Sequence, residues 1–146
     1  MTYFWLTALI LIADQGSKRA VEKRLPVEKR LPVYKYFELW HRRNKGVAFG
    51  HFAAHPQAVT AVGMGLCASL FTCGLKARSL GLSLAGRLGI ACLLGGALGN
   101  LSDRLRKGYV TDFLHIKIRK WPIFNVADLA VLFGSLLILF AEGRKS

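Results

Sequence analysis

The sequence holds only three cysteines, Cys67, Cys73 and Cys92, and none forms a Cys-x-x-Cys pair or stands at metal-ligand spacing from a histidine. A zinc cluster is therefore not expected, and all three are assigned as small apolar residues inside hydrophobic runs. The histidines, His41, His51, His55 and His115, lack the His-Glu-x-x-His spacing of a metallopeptidase. The Gly-x-Ser-x-Gly elbow of many serine hydrolases is absent as well. No metal and no cofactor is expected. Acidic residues are scarce: 8 Asp and Glu stand against 21 Lys and Arg, for a net charge of +13.

What the chain has in abundance is apolar residues, 53% of its 146 positions. Its mean hydropathy is +0.34. That value coexists with 21 basic residues because the two kinds are segregated into long uncharged runs and short basic ones. A net charge of this size first suggests nucleic acid. Here the basic residues flank hydrophobic spans, so anionic lipid headgroups are the expected partner and nucleic acid is not.

A helix crossing the hydrocarbon core needs about 20 largely apolar residues. Tyr3 to Ala13 is uncharged and reaches that length by continuing past Asp14 toward Ala20. Ala58–Leu75 carries no charge, Leu80–Leu101 carries Arg87 near its start, and Trp121–Ala141 carries Asp128. The expectation is one integral membrane domain over residues 1–146, with spans at about 3–20, 58–75, 80–101 and 123–141. The first stretch has no basic segment before it and no small-residue cleavage site after it, so it is expected to be a retained helix.

Two polar segments lie between the spans. The first, about Lys18–Gln57, contains an exact tandem hexapeptide, Val21–Pro26 repeated as Val27–Pro32. Two copies are too few for a repeat architecture, so a local duplication in a loop is expected. Val33–Trp40 is expected to be a strand. In the second segment, Ser102–Lys120, Leu114–Lys120 alternates with the period of a half-exposed strand. Both segments fall on one side of four spans and carry 10 and 6 basic residues. The positive-inside rule would place that side in the cytoplasm.

Ionisable groups within a span cost about 2.5–3.5 kcal/mol on insertion scales, so each one needs a reason. Asp14 and Lys18 sit four residues apart on one helix face, which permits an ion pair with Lys18 extended toward the interface. Asn100-x-x-Asp103 ends the third span and Asn125-x-x-Asp128 begins the fourth, on the same side of the membrane. Asn and Asp often cap helices, a reading that suits Asn125 better than Asp128, which lies well inside an apolar run. Arg104 is expected to pair with Asp103 and fix the end of the third helix. Gly95-x-x-x-Gly99 is expected to let a neighbouring helix approach closely. Asp112, flanked by apolar residues, and Asp103 both remain candidates as the partner of Asp128 on pattern alone.

Five blocks then stand in order: Asp14-Gln15-Gly16-Ser17-Lys18, Asn44-Lys45-Gly46-Val47-Ala48-Phe49-Gly50, Gly95–Asn100 with Asp103-Arg104, Val110-Thr111-Asp112-Phe113, and Phe124-Asn125-Val126-Ala127-Asp128. In these blocks the sequence resembles the bacterial lipoprotein signal peptidases, or signal peptidase II. The resemblance implies an all-α membrane protein of four transmembrane helices, with a small extracytoplasmic β-sheet built by the loops between helices 1 and 2 and between helices 3 and 4. It implies an aspartic endopeptidase of the cytoplasmic (inner) membrane with both termini cytoplasmic, against the charge count. The implied substrate is a diacylglyceryl prolipoprotein, cleaved before its lipidated cysteine. The implied catalytic pair is Asp112 and Asp128. Asp14, Lys18, Asn44, Gly46, Asn100, Asp103, Arg104 and Asn125 are implied to bind substrate or support the site.

The residue types suit that chemistry. Two nearby carboxylates share a proton; the charged one activates water while the protonated one polarises the scissile carbonyl. Asn44, Asn100 and Asn125 offer uncharged amide donors and acceptors. Membrane phospholipids are the other expected partner, and the enzyme is expected to act as a monomer. The competing class is a small transporter or proton relay, which would need polar groups spread across the bilayer depth. Spans two and three lack acids in their interiors, which favours the surface-proximal enzyme.

Overall fold

The computed structural model describes residues 3–46, 54–118 and 121–143. Four helices and four short strands run in the order α1 (Phe4–Arg24), β1 (Arg30–Tyr34), β2 (Phe37–Asn44), α2 (Pro56–Lys76), α3 (Leu84–Lys107), β3 (Val110–Ile116), β4 (Ile123–Phe124) and α4 (Val126–Glu142). The block residues Val47–Gly50 lie outside the described residues.

Local chemistry explains most helix ends. Leu25 precedes Pro26 and is extended, with φ −125° and ψ 115°, which stops α1. Pro56 opens α2 in the first turn, where its missing N–H costs nothing. The Ser83 hydroxyl accepts from Gly86 N at 3.0 Å and starts α3 four residues later than expected. Gly108 ends α3 in the left-handed region at φ 76°, where a side chain would be strained. The third helix therefore continues past Leu101, the expected end, and carries Asp103, Arg104 and Lys107 on its last turns.

Helix α3 is the hub and packs against α1, α2 and α4. Its glycines make the close approaches that the Gly95-x-x-x-Gly99 spacing predicts. A Cβ on Gly95 would lie 2.9 Å from Ile10 Cβ, and one on Gly96 would collide with Ala127 O. Gly95 thus admits α1 and Gly96 admits α4. Outward-facing α1, α2 and α4 side chains, among them Trp5, Leu9, Val62, Phe71, Phe133 and Phe140, leave large apolar surface uncovered. By length and composition α2 and α3 can each cross a membrane; the apolar part of α4, Val126–Ala141, is shorter. Cys67 and Cys92 are buried, Cys73 is half-buried, and all three are free thiols.

The strands form one antiparallel sheet in the order β1-β2-β3-β4. The expected single strand Val33–Trp40 is instead the centre of a hairpin. Tyr34 pairs with Phe37, so the chain reverses at Lys35-Tyr36, a turn with no glycine or proline to announce it. Of the alternation at Leu114–Lys120, Leu114–Ile116 belongs to β3, which begins earlier, at Val110, and is buried from Val110 to Phe113, while residues 119 and 120 lie outside the described residues. The two copies of the hexapeptide adopt different structures. The first finishes α1; the second forms a turn, with Glu28 at φ 64°, and then enters β1.

Candidate active site

The C-terminal halves of α1 and α3, the first turn of α4 and strand β3 meet here. Asn125 caps α4: its Oδ1 accepts from Asp128 N at 2.9 Å, and Asp128 Oδ2 accepts from Asn125 N at 3.2 Å. This reciprocal capping box satisfies two free donors of the first turn. Asp14 Oδ1 reaches across from α1 and accepts from Ala127 N at 2.9 Å. The capping function is therefore real for Asp128 as well as Asn125, although Asp128 looks interior in the sequence, because β4 occupies the residues just before the cap.

The Asp14 carboxylate fits only because residue 99 is glycine; a Cβ there would lie 2.6 Å from Asp14 Oδ2. Lys18 is fully buried, so it does not extend toward the interface as the spacing would permit. Its Nζ lies 2.8 Å from Asp14 Oδ2 and 3.2 Å from Asp103 Oδ2, and it donates to Asn100 Oδ1 at 3.0 Å. Three acceptors use the three protons of the ammonium, as burial requires. The inward orientation follows from spacing. Residues 14 and 18 of α1 stand one turn apart, opposite residues 99, 100 and 103 of α3.

Asn100 passes this order on. With its oxygen held by Lys18, its Nδ2 donates to Asp128 Oδ1 at 2.8 Å. Asn125 Nδ2 donates to Asn100 Oδ1 at 3.1 Å and to Asp112 Oδ1 at 2.7 Å. One asparagine therefore caps the helix that carries Asp128 and grips Asp112 directly. On the far side, Asn44 Nδ2 donates to Asp112 Oδ2 at 3.1 Å while its own oxygen accepts from Gly46 N at 3.0 Å. Arg104 Nη2 donates to Gly46 O at 2.9 Å. Arg104 thus ties the loop after β2 to α3 rather than pairing with Asp103, which is taken by Lys18 and Lys107.

Burial first, and then the Asp128 charge, push the Asp112 carboxyl up from 3.8 to about 7. The Asn44 and Asn125 donors and the Lys18 charge pull the other way and do not prevail. Asp112 therefore carries its proton part of the time near neutral pH, as one member of a proton-sharing pair would.

The structure brings together all ten residues singled out in the sequence, and it adds four. Gln15 Nε2 donates to Asp14 Oδ2 and to Gly99 O, both at 3.1 Å. Glu22, Lys107 and Thr111 form a second cluster beneath β3. Among the described residues no group of three or more His, Cys, Asp or Glu could hold a metal ion.

A sequence profile of the family described as signal peptidase (SPase) II matches residues 6–142. The chain belongs to the signal peptidase II family. A lipoprotein signal peptidase of Moorella thermoacetica is 40% identical over 139 residues, covering 94% of this chain and 90% of that protein. One of Burkholderia mallei is 38% identical over 149 residues, covering 97% and 88%. Two solved structures described as bacterial membrane enzymes share the fold. One superposes with a TM-score of 0.89 at 26% identity over 98% of this chain and 88% of the other. The second gives 0.87 at 25% over 99% and 94%. This signal peptidase II is accordingly an aspartic peptidase and a membrane enzyme, four helices carrying one small antiparallel sheet.

Proposed function

We propose that this signal peptidase II removes the signal peptide from diacylglyceryl-modified prolipoproteins, cleaving just before the lipidated cysteine, with Asp112 and Asp128 as its catalytic pair. The observation that carries the assignment is Asn125. Its side chain holds Asp112 at 2.7 Å and caps the helix turn that presents Asp128. Among the described residues no single side chain joins Asp103 to Asp128 in this way; Asp103 is engaged by two lysines and by Thr111 N.

The charged member of the pair takes a proton from water, and the resulting hydroxide attacks the scissile carbonyl. The protonated member donates to the carbonyl oxygen and takes that proton back as the intermediate collapses, while the proton gained from water passes to the leaving amine. The pair titrates as a unit, so its protons belong to both residues. Asn44 and Asn100 orient one carboxylate each and leave the other edges of the site for the substrate backbone. Asp14, Lys18 and Asp103 form the buried support, and Arg104 with Gly46 sets the wall beyond Asn44.

The four helices span the bacterial cytoplasmic (inner) membrane as a single domain over residues 1–146, with both termini cytoplasmic and the sheet and site on the extracytoplasmic side. Gathering of the polar groups at one end supports a surface-proximal site over a transmembrane relay. The enzyme acts as a monomer. The basic residues Lys23, Arg24, Lys29 and Arg30 hold anionic headgroups near the site. Neutralising all four together should make activity less dependent on lipid composition; unchanged dependence would remove that role.

The direct test uses purified enzyme with a synthetic precursor bearing, or lacking, the diacylglyceryl group. Mass spectrometry should find cleavage before the modified cysteine and little cleavage of the bare peptide. Equal cleavage of both would contradict the substrate assignment.

A further inference from the structure

One face of α1 carries Asp14, Lys18 and Glu22, each a turn from the last, and it meets Asn100, Asp103 and Lys107 of α3. The upper part of this polar seam serves the site already described. Its lower part does something else. Glu22 Oε1 lies 2.5 Å from Lys107 Nζ and accepts from the Thr111 hydroxyl. Lys107 Nζ lies 3.0 Å from Asp103 Oδ1 and donates to Thr111 Oγ1 at 3.4 Å. Thr111 N donates to Asp103 Oδ2 at 3.1 Å. Thr111, fully buried, is thus held at both its backbone and its side chain, and it is the residue immediately before Asp112.

We infer that Glu22, with Lys107 and Thr111, is a positioning device that sets the height of Asp112 relative to Asp128. The inference rests on the catalytic pair proposed above. Strand β3 starts after a short link from α3, with Gly108 in the left-handed region; pairing with β2 sets the register of its first residues, Arg43 opposite Thr111 and Arg42 opposite Asp112, and the side-chain grips fix them against the helices. Glu22 and Lys107 grip Thr111 from two different helices, and Asp103 fixes its N–H. Asp112 follows one peptide later, on the opposite face of the strand from Thr111. Release of Thr111 shifts Asp112 away from the Asn44 and Asn125 donors. Misplacement of a reacting group by about 1 Å is enough to cost roughly 10²-fold in rate.

The tandem hexapeptide supplies an internal control. Glu28 occupies the same position in the second copy as Glu22 does in the first. Its carboxylate is largely exposed and contacts Trp40 and Arg42, away from the pair. The same six residues therefore place one glutamate at the foot of β3 and the other outside the sheet.

The test compares Glu22→Ala, Glu22→Gln, Thr111→Val, Thr111→Ser, Glu28→Gln and the Glu22→Ala/Thr111→Val double variant. Each is purified in phospholipid nanodiscs with the diacylglyceryl precursor peptide as substrate, and kcat is referred to folded enzyme. Glu22→Ala and Thr111→Val should each lower kcat about tenfold, with KM within about twofold of wild type. The double variant should be no worse than the poorer single one, because both break the same grip. Glu22→Gln and Thr111→Ser, which keep a hydrogen-bond partner, should recover most of the loss, and Glu28→Gln should match wild type. Wild-type kcat in Glu22→Ala, or multiplicative losses in the double variant, would overturn the inference. So would a loss confined to the amount of folded enzyme. Asp112→Asn separates the two levels. Full activity in that variant removes the catalytic pair itself, whereas an inactive Asp112→Asn beside a fully active Glu22→Ala removes only the positioning role.

Discussion

Gly99→Ala tests whether helix packing and site geometry are one construction. The added Cβ would lie 2.6 Å from Asp14 Oδ2, 3.1 Å from Asp14 Cγ and 3.2 Å from Ala127 Cβ. Ordinary contact for a carbon is about 3.5 Å, so the Asp14 carboxylate must withdraw by close to 1 Å. It has nowhere free to go, since it accepts from Ala127 N at 2.9 Å and pairs with Lys18 Nζ at 2.8 Å. Overpacking of this kind costs about 1–3 kcal/mol. The larger effect falls on rate. Asp14 holds the α4 turn that carries Asp128, and a displacement of about 1 Å there should lower kcat on the order of 100-fold. The assay is precursor processing by gel shift in membranes, with thermal unfolding in detergent measured alongside. Gly65→Ala on α2 serves as control, because nothing lies within 4 Å of the added carbon. It should leave rate unchanged and stability equal or raised by about 0.5–1 kcal/mol. A Gly99→Ala enzyme that processes precursor at the wild-type rate would refute the claim that Asp14 positions the catalytic turn.

Other outcomes follow from the same geometry. Because burial and the Asp128 charge raise Asp112 to about 7, kcat/KM should fall as pH rises through about 7. Asn44 donates to the charged form of Asp112, so Asn44→Ala should move that basic limb to higher pH; a downward shift would contradict the assignment. The raised value also has a stability consequence. A carboxyl with a folded pKa above its unfolded value of about 3.9 contributes stability at low pH that is lost as pH rises through the folded value. Asp112→Asn should therefore gain Tm relative to wild type as pH rises from about 4 to about 7, as read by thermal unfolding. Lys18→Met leaves Asp14 and Asp103 buried without their shared cation and should destabilise by about 3–5 kcal/mol, seen as loss of protease-resistant enzyme in membranes.

The helices were legible where hydrophobicity alone decides. Ala58–Leu75 has no charge, and α2 covers it with one or two residues to spare at each end. Boundaries set by single residues were not. Ser83 delays α3, Gly108 prolongs it, and Asn125 delays α4. The hairpin escaped notice because its turn uses Lys35 and Tyr36, which carry no backbone signature. Context overrode local sequence most plainly in the hexapeptide, identical in both copies yet helical in one and extended in the other.

The site divides along similar lines. Two Asn-x-x-Asp patterns revealed that polar groups gather at one end, since spacing of three places both residues on one helix face. Spacing did not distinguish Asp112 from Asp103, because the choice depends on which acid Asn125 reaches across the fold. The buried state of Lys18 and the attachment of Arg104 to Gly46 were invisible for the same reason; both are set by contacts 58 or more residues apart in sequence. Glu22 did carry a signal, lying eight residues beyond Asp14 on the same face of α1, but its place in a repeated loop-like hexapeptide concealed it.

The central claim is that Asp112 and Asp128 act together. The most direct measurement replaces each singly with Asn and follows conversion of a lipid-modified precursor in membranes by gel shift, at matched levels of folded enzyme. Both variants should leave the precursor unprocessed, and the double variant should be no worse than either alone, because the carboxylates work as one unit. Normal processing by either single variant would contradict the account.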